Sequence, residues 1–214
     1  MLPKAMVEIG GFPILWHILK LYSAHGINDF IICCGHEGYV IKEYFANYFL
    51  HTSNVTCDIS QNTMTVHNPV AEPWRVTLVD TGEATGTGGR LRKIAKFIEG
   101  GESFCMSYGD TLADIDITSS VSFHKAHGKS VTMTCIQPAV RLGALGLEDT
   151  KVYSLREMPS EDGGWINSGF FILKPDIFSD ITDDSQMFEQ EPVQALGGAR
   201  AGSGFLPSRL LPDP

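Results

Sequence analysis

Phe104-Cys105-Met106-Ser107-Tyr108-Gly109-Asp110-Thr111-Leu112-Ala113-Asp114 is the stretch that decides how the chain is read. Its apolar run has the character of a strand that ends at Gly109-Asp110. After a short turn, residues 116–128 read as a helix. In an open α/β sheet, ligands gather beyond the carboxyl ends of the strands. A carboxylate at such an end, beside a glycine that lets a ligand approach the backbone, suits Mg²⁺ on a phosphate. The alternative reading makes Asp110 a turn cap.

Outward from this stretch, strands and helices alternate. On the N-terminal side, Trp74-Arg-Val-Thr-Leu-Val-Asp-Thr-Gly82 reads as a strand, and Glu83-Ala-Thr-Gly-Thr-Gly-Gly-Arg-Leu91 as a glycine-rich turn into a helix over 91–98. Backbone N–H groups at such a helix start, with the Arg90 guanidinium nearby, can hold an anion or a nucleotide edge. Further back, residues 13–24 form an amphipathic helix, with Pro13 in its first turn and Gly26 as its stop. Residues 29–35 suit a strand buried on both faces. Residues 39–50 suit a second helix whose aromatics, Tyr44, Phe45, Tyr48 and Phe49, belong to the core. The polar stretch 52–72 reads as a hairpin excursion rather than a new domain. On the C-terminal side, 130–137, 152–157 and 165–173 read as strands, with no long helix between the last two, and 174–178 and 186–196 as short helices. Asn167-Ser168-Gly169 interrupts an otherwise apolar run, so its polar groups are either satisfied internally or face a pocket. The pattern predicts an α/β fold: three layers, Rossmann-like, around a mixed and largely parallel sheet. One domain spans 1–196, and the Gly- and Pro-rich residues 197–214 form an irregular tail.

The totals exclude several classes. A net charge of −9 argues against a broad nucleic-acid surface. No apolar run approaches the ~20 residues that cross a bilayer, and Met1-Leu2-Pro3-Lys4 is not a secretory signal. Five cysteines lack metal-ligand spacing, which predicts reduced, buried thiols and a cytoplasmic protein. No Ser/His/Asp arrangement or Walker phosphate loop is visible.

The order of motifs adds a resemblance. Pro3-Lys4-Ala5-Met6 with Ile9-Gly10-Gly11 and Pro13-Ile-Leu-Trp-His17, then Thr87-Gly-Gly-Arg-Leu91, Tyr108-Gly-Asp110 and Ile166-Asn-Ser-Gly-Phe-Phe171 resemble the motifs of sugar-1-phosphate nucleotidylyltransferases. The likeness runs from about residue 3 to 196 and is nearest to members that use CTP and α-D-glucose 1-phosphate. It implies the nucleotide-diphospho-sugar transferase fold, formation of CDP-glucose and pyrophosphate, Mg²⁺ as cofactor, and a place in nucleotide-sugar supply for lipopolysaccharide O-antigen. The partners it implies are CTP and glucose 1-phosphate, with no nucleic acid or membrane and with a homo-oligomer as an open alternative. By the family pattern, Lys4 and Asp110 are catalytic, Lys4 on the phosphates and Asp110 on Mg²⁺. Thr85, Gly88, Gly89 and Arg90 contact the nucleotide, together with the backbone of Gly109. Tyr108, Glu157, Asn167 and Gly169 line the sugar side.

Three departures shape the expectation further. Family members begin with a strand and a loop of the form Gly-Gly-x-Gly-Thr-Arg-Leu that cradles the triphosphate, whereas this sequence starts after that point. The expectation is a domain incomplete at its N-terminus, with unpaired edges on the neighbouring strands. Met158 stands where the family's Glu-Lys-Pro carries lysine, and no side chain of that type replaces the cation. The second metal-binding Asp of the family is expected at or beyond the C-terminus, and Asp213, in Leu-Pro-Asp-Pro, does not match it. Reduced turnover is therefore expected. The alternatives are a nucleotide-binding homologue without activity, a partner of a full-length enzyme, and a metal-assisted phosphohydrolase built on Asp110 and Asp114.

Overall fold

Apolar, β-branched runs form the strands, and a computed structural model describes them within residues 2–68, 71–98, 103–136, 144–148, 151–156, 166–190 and 203–205. A 3-10 turn over Lys4–Met6 leads to a two-strand hairpin, β1 (Glu8–Ile9) and β2 (Phe12–Pro13). Helix α1 (Ile14–Ala24) follows, burying Leu15, Ile18, Leu19 and Tyr22 at helical spacing. Strand β3 (Asp29–Cys34) comes next, then α2 (Gly38–Ala46) and α3 (Tyr48–Thr52). The single helix expected over 39–50 is thus two. Asn47 leaves the helical region (φ −105°, ψ 21°), and beyond the break the Tyr48 hydroxyl accepts a hydrogen bond from Trp16 Nε1 at 3.1 Å.

The expected excursion is the antiparallel hairpin β4 (Asn54–Asp58) and β5 (Thr63–His67). Strand β6 (Arg75–Asp80) precedes α4 (Thr87–Ile94), and β7 (Phe104–Ser107) precedes α5 (Ile117–His127). Asp116 caps α5 by accepting from Ser119 N at 2.9 Å, and Gly128 closes it in the left-handed region (φ 67°). Then come β8 (Val131–Ile136), β9 (Ala144–Glu148), β10 (Lys151–Arg156), β11 (Ile166–Leu173) and β12 (Ser203–Phe205).

Among the described residues, two strand pairs are parallel, β3 with β6 and β8 with β12. Strand β11 runs antiparallel to both β7 and β8. The mixed character thus enters at β11. Alternate residues of β11 face opposite layers. Phe171 and Leu173 pack with Leu91 and Ile94 of α4, while Phe170 packs with Ile18 and Tyr22 of α1 and Ile117 of α5. Three layers result.

Two expectations are corrected. The segment 197–214 is not wholly irregular, since Ser203–Phe205 pair with Thr132–Thr134 and Phe205 meets the Phe123 ring at 5.6 Å. An apolar aromatic in an otherwise Gly-rich stretch supplies the packing that composition alone hid. Of the short helix expected over 186–196, residues 187–190 form a turn instead, and 191–196 lie outside the described residues. The other residues of 197–214 lie outside the described ones.

Among the described residues β3 pairs only with β6, and β7 only with β11. Their other edges border one cavity of about 870 Å³, closed by α1 on one side and by α4 on the other. This explains why β3 is only half-buried along most of its length.

Candidate active site

The carboxyl ends of β3, β6 and β7 carry most of the residues singled out from the sequence. Arg90, Tyr108, Gly109 and Asp110 all line the cavity between β3 and β7. Arg90 comes from the first turn of α4. Its Nη1 donates to Thr81 Oγ1 at 2.6 Å, and its Nη2 donates to the Glu83 carbonyl at 3.3 Å. Thr81 is fully buried and in turn donates to the Cys34 carbonyl at 3.0 Å. The guanidinium is therefore tied to the ends of two strands before any ligand arrives. Its charge eases the Cys33 thiol, which burial nonetheless pushes up to about 11.

Lys4 is exposed, in the turn held by buried Met6. The adjacent Ala5 lies against Gly109, with its Cβ 3.6 Å from where a Cβ on Gly109 would stand. A side chain at residue 109 would thus fill the gap between the Lys4 turn and the end of β7. Asp110 is exposed one residue further on.

Gly88 and Gly89 do something other than the role expected of them. Helix α4 begins at Thr87, four residues before the expected start, so both glycines sit inside its first turn. Gly86 N–H donates to the Asp184 carbonyl, and Gly88 and Gly89 N–H to the Gln186 carbonyl, at 2.9, 3.0 and 3.4 Å. A Cβ on Gly88 would stand 3.0 Å from that Gln186 oxygen, and one on Gly89 would strike the Asp184 backbone. These glycines admit a crossing chain, and their amides are already satisfied. The reading of this helix start as an open anion cradle is corrected accordingly. Thr85 is held as well, donating to the Thr81 carbonyl at 2.6 Å and accepting from Lys93 Nζ at 3.2 Å.

On the β11 side, Gly169 takes φ 80°, and the pairing with β8 slips between Asn167 and Phe171. The bulge needs glycine twice, for its positive φ and because a Cβ would press on Tyr108 Cδ2 at 2.6 Å. It lets Asn167 Nδ2 donate to the Tyr108 hydroxyl at 3.3 Å while Asn167 Oδ1 accepts from Gly169 N at 2.8 Å. Ser168 points the other way and is satisfied by the Thr134 carbonyl. Burial, and then the Glu189 carboxylate beside it, raise the Tyr108 phenol well above its ordinary value. Glu157 lies outside the described residues.

Sequence reasoning did not single out Thr81, Gly35 or Glu189, and took Thr87 only as part of a motif. Gly35 had a signal, a glycine directly after a strand. Glu189 had none, since its partners are 81 and 102 residues away.

Among the described residues, no group of three or more His, Cys, Asp and Glu can enclose a metal ion. A lone exposed carboxylate at a strand end suits a cation that takes its other ligands from phosphates and water, as Mg²⁺ does. No helix among the described residues is long and apolar enough to cross a membrane.

Comparison with known proteins accords with this arrangement. The profile described as nucleotidyl transferase matches residues 1–195. Glucose-1-phosphate cytidylyltransferase of Salmonella typhi is 55% identical over 194 residues, covering 91% of this chain and 76% of that protein. The enzyme of the same name from Salmonella typhimurium is also 55% identical over 194 residues, with the same coverage. The crystal structure of HddC from Yersinia pseudotuberculosis superposes with a TM-score of 0.66 over 96% of this chain and 81% of that one. At 23% identity that likeness speaks to the fold alone. With a profile match along nearly its whole described length and relatives identical at more than half of the aligned positions, the chain belongs to the nucleotidyl transferase family.

Proposed function

We propose that the chain transfers a cytidylyl group from CTP to α-D-glucose 1-phosphate, giving CDP-glucose and pyrophosphate. A phosphate oxygen of the sugar phosphate forms a bond to the α-phosphorus of CTP. The bond from that phosphorus to the bridging oxygen breaks, and pyrophosphate leaves with the electron pair. No redox partner is needed. The observation that carries this reading is the convergence of Arg90, Gly109 and Asp110 on one cavity mouth, beside the Lys4 turn, in a chain 55% identical to enzymes named for this reaction.

In this reading the protein's work is positioning and charge neutralisation. Arg90 and Thr85 orient the nucleotide. Lys4 meets the phosphates, and Gly109 offers its backbone because it has no side chain to intervene. Asp110 holds Mg²⁺, which supplies neutralisation of phosphate charge when bound. Tyr108, Asn167, Gly169 and Glu157 form the sugar side. A cytoplasmic location and a role in O-antigen sugar supply belong to the same reading, and self-association remains part of it.

The test is direct: the protein with CTP, glucose 1-phosphate and Mg²⁺ yields CDP-glucose and pyrophosphate. No product above a no-protein control sinks the proposal. Met158 favours a second reading, in which the chain binds CTP without turnover because no lysine meets the sugar phosphate there. Heat on titration with CTP, alongside a flat turnover assay, would select it.

A further inference from the structure

We propose that Glu189 is a positioning residue that sets the Tyr108-Gly109-Asp110 turn relative to the Arg90-bearing helix. The inference rests on the reading of Asp110 and Arg90 as nucleotide-site residues. Glu189 lies in a turn, outside any helix or strand, directly after Phe188, which is fully buried in the main core. Its carboxylate accepts from two hydroxyls at once. Tyr108 Oη donates to Oε1 at 2.6 Å, and Thr87 Oγ1 donates to Oε2 at 2.7 Å. Thr87 is the first residue of α4, and its hydroxyl also accepts from Phe188 N at 2.8 Å. Tyr108 is two residues before Asp110, and its backbone N–H donates to the Gly169 carbonyl at 3.1 Å.

One carboxylate thus joins the start of the helix that presents Arg90 to the end of the strand that presents Asp110. Hydrogen bonds to an ionised acceptor are roughly twice as strong as neutral ones. Two of them at one half-buried group hold the elements to a narrow range of separations. Asn167 adds a third arm by donating to the same Tyr108 hydroxyl. Removing the carboxylate leaves the two hydroxyls without their common acceptor. The Tyr108 ring then keeps its packing on Phe171 and Gly169 and the Asn167 bond, but no link to the start of α4.

Three variants, E189A, E189Q and T87V, are compared with the unmodified protein. Hydrogen exchange at the Tyr108 amide reads the positioning directly, and calorimetric affinity for Mg²⁺·CTP reads its consequence. E189A is expected to speed exchange at Tyr108 about tenfold and to weaken Mg²⁺·CTP about tenfold, the lower end of the usual effect of residues that orient a metal ligand. E189Q recovers most of both, because its amide oxygen still accepts one hydroxyl. T87V, which keeps the Tyr108 arm, falls between. Unchanged exchange at Tyr108 in E189A overturns the proposal, and so does a loss of melting temperature in E189A that E189Q does not recover. Failure of the unmodified protein to bind Mg²⁺·CTP, with Tyr108 exchange still following Glu189, sinks the nucleotide-site reading and leaves the positioning role standing.

Discussion

The Arg90 guanidinium lies where a side chain on Gly35 would be: a Cβ built there stands 2.8 Å from Arg90 Cζ. Two residues 55 positions apart in sequence therefore share one space at the ends of β3 and β6. The obstacle is the far end of a flexible side chain. Gly35→Ala is expected to fold normally while moving the guanidinium off Thr81, with CTP affinity falling about tenfold, as for loss of one charge-assisted hydrogen bond. Calorimetry checks this, and unaltered affinity would remove Arg90 from the nucleotide site.

Gly89→Ala meets backbone instead. Its Cβ would collide with the Asp184 carbonyl, in a segment already fixed by three amide bonds from the α4 start. We expect a loss of about 3 kcal/mol of stability from overpacking, or roughly 10 °C in melting temperature for a chain of this size. Thermal denaturation reads it. A variant that melts with the parent would show that the 184–186 chain can move aside.

Asp110→Asn removes the negative charge from the end of β7 and leaves the shape. Mg²⁺-dependent CTP binding is expected to disappear, while binding without the metal changes little. Equal affinity in the two proteins would reduce Asp110 to a turn residue.

A pH dependence arises away from the site. His124 is buried, with Nε2 3.0 Å from Ser103 Oγ and Nδ1 2.8 Å from Thr132 Oγ1. Burial, reinforced by His127 and Lys174, lowers its pKa from 6.5 to about 4. The unfolded chain therefore binds the proton more readily than the folded one between these values. The contribution is fully present above about pH 6.5 and is lost progressively as pH falls toward 4, up to about 3 kcal/mol in all. Urea denaturation at pH 7.5 and 5 should show the difference, and His124→Asn should flatten it. Equal slopes in parent and variant would assign the acid sensitivity elsewhere.

Much of the fold was legible in the chain itself. Helix α1 announced itself by apolar spacing and by its stop at Gly26, and α5 was expected after the turn that follows Asp110. The strands carrying residues 104–107, 131–136 and 166–173 were short apolar runs between turn residues. The order Lys4, Arg90, Asp110, Asn167 was also readable, because motif order is a property of sequence.

What the one-dimensional pattern lacked is visible at α4 and beyond residue 196. The glycines of 86–89 read as an anion cradle because local chemistry cannot reveal a chain that crosses the helix start from 95 or more residues later. Ser203–Phe205 read as tail because three residues carry no periodicity, and only the open edge of β8 makes them a strand.

The sequence by itself determined the alternation of elements, the family, and which residue types stand at strand ends. These depend on spacing, turn chemistry and motif order, all of which are local. Tertiary structure alone decided that Glu189 joins Tyr108 to Thr87, that Arg90 fills the space over Gly35, and that β3 and β7 face each other across a cavity. Each is a contact between distant segments, set by how the layers pack, and hydrogen-bond partners chosen by packing leave no periodic trace in the chain.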